Sequence, residues 1–151
     1  MLPADLLDFL LKAKRNTYAS GKAPDLVSRP GSHDLSYEEA PFLYIDTYLG
    51  GFAFIGEEAV WYKGEPVWGM NYSGKMLIPE IPYGFSHFLK NALLLGSLEM
   101  PQRGPAEYTQ GIFQYRCVVS GELDWFNGEE MILQNRDLIY RLYFHGGEVI
   151  A

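Results

Sequence analysis

Apolar and polar residues alternate along much of this 151-residue chain, and in two places the alternation gives way to helical spacing. Leu6, Phe9, Leu10 and Ala13 recur at i, i+3, i+4 and i+7, one stripe of an amphipathic helix. Pro3 suits a first turn, Asp5 and Asp8 the positive end of the helix dipole, and Lys12, Lys14 and Arg15 the negative end. These signals predict a helix from Pro3 to about Arg15. Phe85, Phe88, Leu89, Ala92 and Leu93 predict a second one, with Gly96 as its stop.

Period-two runs follow each helix. Phe42–Tyr48 leads to Gly50-Gly51, a hairpin signal, and Phe52–Tyr62 returns from it. Lys63–Pro66 then turns the chain into a third strand, Val67–Ser73. Ile112–Val119, Leu123–Leu133 and Leu138–His145 take the same roles further on. Trp68, Met70 and Tyr72 share one strand face, as do Tyr140, Leu142 and Phe144, and both faces are assigned to the core. Gly56 reads as a bulge, and Asn127-Gly128 as either a bulge or a tight type I′ turn that splits its strand. Ser20 to Ser36 reads as a loop long enough to carry function or disorder.

The two halves also share letters. FIGEEAV at Phe54 returns as FNGEEMI at Phe126, so Phe54, Gly56, Glu57, Glu58 and Gly74 align with Phe126, Gly128, Glu129, Glu130 and Gly146. Upstream, Tyr37, Phe42, Tyr44 and Gly50 align with Tyr108, Phe113, Tyr115 and Gly121. Chance pairing at ordinary residue frequencies gives roughly two or three such identities. The expected architecture is therefore α+β, a duplicated α-β-β-β module with antiparallel sheet or sheets and two helices packed on one face. A single domain spans 1–151, with repeats over about 3–75 and 84–147. On this reading, features common to both repeats describe scaffold, and features of one repeat alone mark function.

Composition narrows the partners. A net charge of −7 opposes sequence-independent nucleic-acid binding and favours a cationic ligand over an anionic one. Apolar runs such as Ala92–Leu95 are far shorter than the roughly 20 residues that span a bilayer. The N-terminus has acids within its apolar stretch and bases after it, the reverse of a secretory signal, so a cytoplasmic location is expected, without membrane contact. One cysteine, Cys117, rules out an internal disulfide and a CxxC zinc site, and His33, His87 and His145 lack metal-ligand spacing. No metal, cofactor or catalytic residue is assigned. Cys117 itself reads as an inert buried thiol.

Candidate chemistry comes from residues that differ between the repeats. Asp46 takes the place of Cys117, on the face of Phe42, Tyr44 and Tyr48, and an inward carboxylate needs a partner, with Arg29 and Arg103 the candidates. In the Glu57-Glu58 and Glu129-Glu130 pairs, one Glu is expected to accept backbone N–H bonds at the bend and the other to face water. Arg29, His33, Asp46, Tyr48, Trp68 and Asn71 form the expected ligand-binding set. Asp46 supplies charge, Trp68 and Tyr48 stacking surface, and Asn71 an amide that both donates and accepts.

Several stretches resemble a bacterial family of unknown function, domain of unknown function 5680. They include SRPGSHDLSY (Ser28–Tyr37), YIDTYLGG (Tyr44–Gly51), FIGEEAVW (Phe54–Trp61), PVWGMNYSG (Pro66–Gly74), FLKNALL (Phe88–Leu94), RGPAEY (Arg103–Tyr108), WFNGEE (Trp125–Glu130) and FHGG (Phe144–Gly147). The resemblance implies no established activity, and so no catalytic residue. Members stand alone or behind a helix-turn-helix domain, which implies ligand sensing. The expected function is a non-enzymatic domain binding a cationic or aromatic small molecule in an aromatic, acidic cleft between the repeats. A hydrolase or transferase using Asp46 or Glu58 with His33, and a protein-interaction module running as a homodimer, are the alternatives.

Overall fold

The computed structural model describes residues 1–24 and 27–151. Helix α1 runs over Leu6–Asn16 and buries Leu6, Phe9, Leu10, Leu11 and Ala13. Its end is closed by Thr17, whose Oγ1 donates to the Ala13 carbonyl at 2.9 Å, and a short 3-10 turn over Tyr18–Ser20 follows. Helix α2, Phe85–Leu94, buries Phe85, Phe88, Leu89 and Ala92. Arg15 ties the helices together by donating from Nη2 to the Gly96 carbonyl at 3.0 Å.

The strands are β1 (Ser32–Glu39), β2 (Phe42–Gly50), β3 (Ala53–Tyr62), β4 (Glu65–Met76), β5 (Glu107–Gln110), β6 (Phe113–Glu122), β7 (Trp125–Gln134) and β8 (Asp137–Glu148). They form one antiparallel sheet in the order β1-β2-β3-β4-β8-β7-β6-β5. A repeated α-β-β-β module is therefore not what the chain builds. Four strands follow each helix, and the long β4–β8 pairing, Trp68 opposite Glu148 through Met76 opposite Tyr140, makes all eight a single sheet. The additional strands, β1 and β5, escape the hydrophobic pattern because they are polar edge strands. SHDLSYEE and EYTQ gain their order from backbone pairing with β2 and β6. Part of the loop expected over Ser20–Ser36 is thus strand, while its residues Asp25 and Leu26 lie outside the described residues.

Both helices lie on the face that carries Trp68, Met70, Tyr72, Tyr140, Leu142 and Phe144, and the core forms between these layers. Trp68 stacks on Phe126 at 5.8 Å and donates from Nε1 to the Leu123 carbonyl at 3.0 Å. The glycines have a different role from the one expected. Gly56 and Gly128 sit in unbroken strand pairing, opposite Tyr72 and Phe144, with neither bulge nor turn. A Cβ at Gly56 would lie 2.3 Å from Tyr72 Cζ, and one at Gly128 2.2 Å from Phe144 Cζ, so each glycine makes room for a ring across the strand. The register shifts fall elsewhere: Val60 faces Trp68 and Trp61 faces Pro66, and Ile132 faces Tyr140 and Leu133 faces Leu138.

Candidate functional site

A cavity of about 310 Å³ lies beneath both helices, over β1–β4. Strand alternation aims Tyr44, Asp46 and Tyr48 of β2 at it, with Phe54 and Glu58 of β3 and Tyr72 of β4 beside them. The helices add Lys14, Phe85 and Leu89, the 3-10 turn adds Tyr18, and the α2–β5 connection adds Arg103. The cavity was expected between two repeats. It lies over the β1–β4 half of the sheet and draws its lining from both repeat spans, with Phe85, Ser86, Leu89 and Leu93 of α2, Arg103 and Tyr140 coming from the second.

Polar groups on its wall join Glu130 and Tyr115, which do not line it, in a buried ion cluster. Arg103 donates to Glu130 through two parallel bonds, Nε to Oε2 at 2.9 Å and Nη2 to Oε1 at 3.0 Å. The Tyr115 and Tyr140 hydroxyls donate to the same carboxylate at 2.7 and 3.0 Å, so fully buried Glu130 is satisfied on both oxygens. Lys14 pairs with Glu58 and donates to the Gln102 carbonyl at 2.7 Å, and Arg103 Nη1 lies 3.9 Å from Glu58 Oε1. Asp46 differs from the other two carboxylates. It is only 5% exposed and accepts a 2.6 Å hydrogen bond from the Tyr72 hydroxyl, and among the described residues it forms no ion pair.

These environments push the acids apart. Burial raises the Asp46 carboxyl and the Glu58 charge raises it further, against the Tyr72 hydrogen bond and the more distant Lys14 and Arg103, leaving it at about 7. Burial acts on Glu130 in the same sense, but the Arg103 charge, its hydrogen bonds and the two phenols outweigh burial and hold Glu130 below the ordinary carboxylate range. Burial also lowers Lys14, with Glu58 opposing. Cys117, buried on the neighbouring strand face, is pushed up to about 12, mainly by desolvation. Among the described residues, no group of three or more His, Cys, Asp or Glu side chains is placed to hold a metal ion, and no helix is long and apolar enough to cross a membrane.

The family model described as Domain of unknown function (DUF5680) matches residues 46–149. The chain belongs to that family. No curated protein and no solved structure matches it. Within this DUF5680 chain, the matched residues begin at Asp46 and take in Glu58, Tyr72, Arg103 and Glu130, while Lys14, Tyr18 and β1 lie outside the match.

The fold brings together three of the six residues singled out from the sequence. Asp46, Tyr48 and His33 line the cavity, and the His33 ring stacks on Tyr48 at 4.9 Å. Trp68 is fully buried in the core against Phe126. Arg29 and Asn71 line a second hollow of about 520 Å³ toward the helix-free face, which shares Tyr48 and Tyr72 with the cavity. Arg29 is therefore no partner for Asp46, whose direct partner is Tyr72. Neither Glu58 nor Glu130 caps a bend: both are buried ion-pair members, and Glu57 and Glu129 take the other face. The sequence did hold a signal for them. Glu58 shares its strand face with Val60, Glu130 shares its face with Ile132, and Lys14 extends the α1 stripe one turn past Leu10.

Proposed function

We propose that this DUF5680 chain is a non-enzymatic, small-molecule-binding domain of a sensing type, with a ligand of aromatic or cationic character held in the cavity beneath the helices. The observation that carries this reading is the Asp46 carboxyl group, buried on the wall of a 310 Å³ cavity with no ion-pair partner among the described residues. A cavity of this size accommodates a small ligand, and walls with Tyr48, Phe54, Tyr72 and Phe85 offer ring faces for stacking or cation–π contact. Of the groups that an acid–base mechanism could use, Glu58 is held by Lys14 and Arg103, and His33 stacks on Tyr48 with no hydrogen bond to Asp46 among the described residues. That favours recognition over turnover.

A thermal-shift screen with aromatic and cationic small molecules tests the reading. A ligand present at a hundred times its Kd adds about 2.7 kcal/mol. For a chain of this size that corresponds to a rise in Tm of roughly 5–10 °C. Ser86 lines the cavity from the first turn of α2. A Ser86→Trp variant that keeps the native circular dichroism should lose the shift. A library without stabilising compounds, or shifts that survive Ser86→Trp, would overturn the proposal.

A further inference from the structure

The buried ion cluster at the cavity is out of balance by one charge. Asp46 and Glu58 on the wall, and Glu130, which does not line the cavity but is bound to the wall residue Arg103, share the cluster with two basic side chains, Lys14 and Arg103. Both bases are committed: Arg103 is locked to Glu130 by parallel bonds, and Lys14 to Glu58 and the Gln102 carbonyl. The odd carboxylate is Asp46, and it borders the empty volume. A buried charge without a counter-charge is costly, so the site has two ways to become neutral. Either a proton sits on Asp46 or a cation sits beside it.

We propose that the ligand class of this cavity is an organic monocation, a protonated amine on an aromatic body, and that it binds by exchange for the Asp46 proton. The inference rests on the small-molecule reading above and adds to it the ligand's charge and the stoichiometry of the exchange. On binding, the Asp46 O–H bond breaks, the proton passes to solvent, and the carboxylate pairs with the incoming ammonium. The net charge of the cavity stays constant, and the Tyr72 hydroxyl remains the donor to Oδ1.

The charged groups facing Asp46 are Lys14 from α1, Glu58 from β3 and Arg103 from the α2–β5 connection. Around them stand the phenols of Tyr18, Tyr44, Tyr48, Tyr72 and Tyr140, and the exposed His33 imidazole at the rim. Burial raises all five phenols, so none ionises near neutrality. Glu130 is held ionised by Arg103. Asp46, at about 7, carries its proton into the physiological range.

Calorimetry with two probes of matched shape, 2-phenylethylammonium and neutral 2-phenylethanol, tests the exchange. Titrations in buffers of different ionisation enthalpy report protons released. For the ammonium, close to one proton should leave per molecule bound at pH 6 and almost none at pH 8.5, with affinity falling about tenfold for each pH unit that the pH drops below 7. The alcohol should release none. Asp46→Asn should abolish the release and weaken the ammonium at least tenfold while sparing the alcohol. A carboxyl ¹³C titration of the ligand-free protein should show Asp46 protonated at pH 6, a readout that needs no variant to fold. Ammonium binding without proton release, or release that persists in Asp46→Asn, would overturn the exchange and leave the small-molecule reading standing. Absence of binding by both probes would overturn the exchange and count against the small-molecule reading as well.

Discussion

Replacing Arg103 with methionine keeps most of the side-chain volume and removes the charge that holds the ion cluster together. Glu130 would lose two charge-assisted bonds at 2.9 and 3.0 Å and keep only the Tyr115 and Tyr140 hydroxyls, at full burial. Glu58 would lose the guanidinium 3.9 Å away but keep Lys14. Removing one partner of a buried ion pair costs about 3–5 kcal/mol. The two phenols left on Glu130 put this case near the lower end, about 3 kcal/mol, or a fall in Tm of roughly 6–12 °C for a chain of this length. The pH dependence is the sharper part. In the wild type, Glu130 lies below its unfolded value, so its contribution is present above that value and is lost as pH falls through the folded one. In the variant, burial without Arg103 raises the same carboxyl, and acid should relieve the penalty. Urea unfolding should therefore show a smaller deficit at pH 5 than at pH 8. Adding Glu130→Gln should recover roughly 1–3 kcal/mol as a coupling energy. A deficit under about 1 kcal/mol at pH 8, or one equal at both pH values, would refute the account of a buried, satisfied cluster.

Three further outcomes follow from the same geometry. Asp46 ionises at about 7 in the fold against 3.8 in the unfolded chain, so the native state holds its proton longer and stability falls as pH rises from about 4 to 7. Asp46→Asn, which can still accept from Tyr72, should match the wild type near pH 4 and exceed it at pH 8 by an amount on the order of 2–4 kcal/mol in urea unfolding; a less stable variant at pH 8 would contradict this. Gly56→Ala places a methyl 2.3 Å from Tyr72 Cζ, displacing the ring that donates to Asp46, and should cost roughly 1–3 kcal/mol in calorimetry. Cys117, buried and pushed up to about 12, should resist a thiol reagent at pH 8 in the native protein and react at once in urea.

How much of this was legible in the chain varies by element. The two helix stripes and six of the strands show in the spacing of Leu6, Phe9 and Leu10, of Phe88, Leu89 and Ala92, and of Trp68, Met70 and Tyr72, because such periodicity is a local property. The inward direction of Asp46 was legible for the same reason. Strands β1 and β5 were not, since a polar edge strand is held by hydrogen bonds to its neighbour and leaves little apolar signature. The site was half legible: Asp46, Tyr48 and His33 meet at the cavity, whereas Trp68 shares its face with the core and Arg29 and Asn71 lie across the sheet.

By itself, the amino-acid sequence determined which face each side chain takes on its own helix or strand, and that the chain is rich in rings and carries an excess of acid. Only the tertiary structure decided that β4 pairs with β8, that one sheet forms where a repeated module was expected, and that Arg103 goes to Glu130 while Asp46 is left with a phenol. The physical reason is range. Periodicity is set between residues a few positions apart, but the partner of a buried charge is set by the register of strands that meet only after long loops have closed.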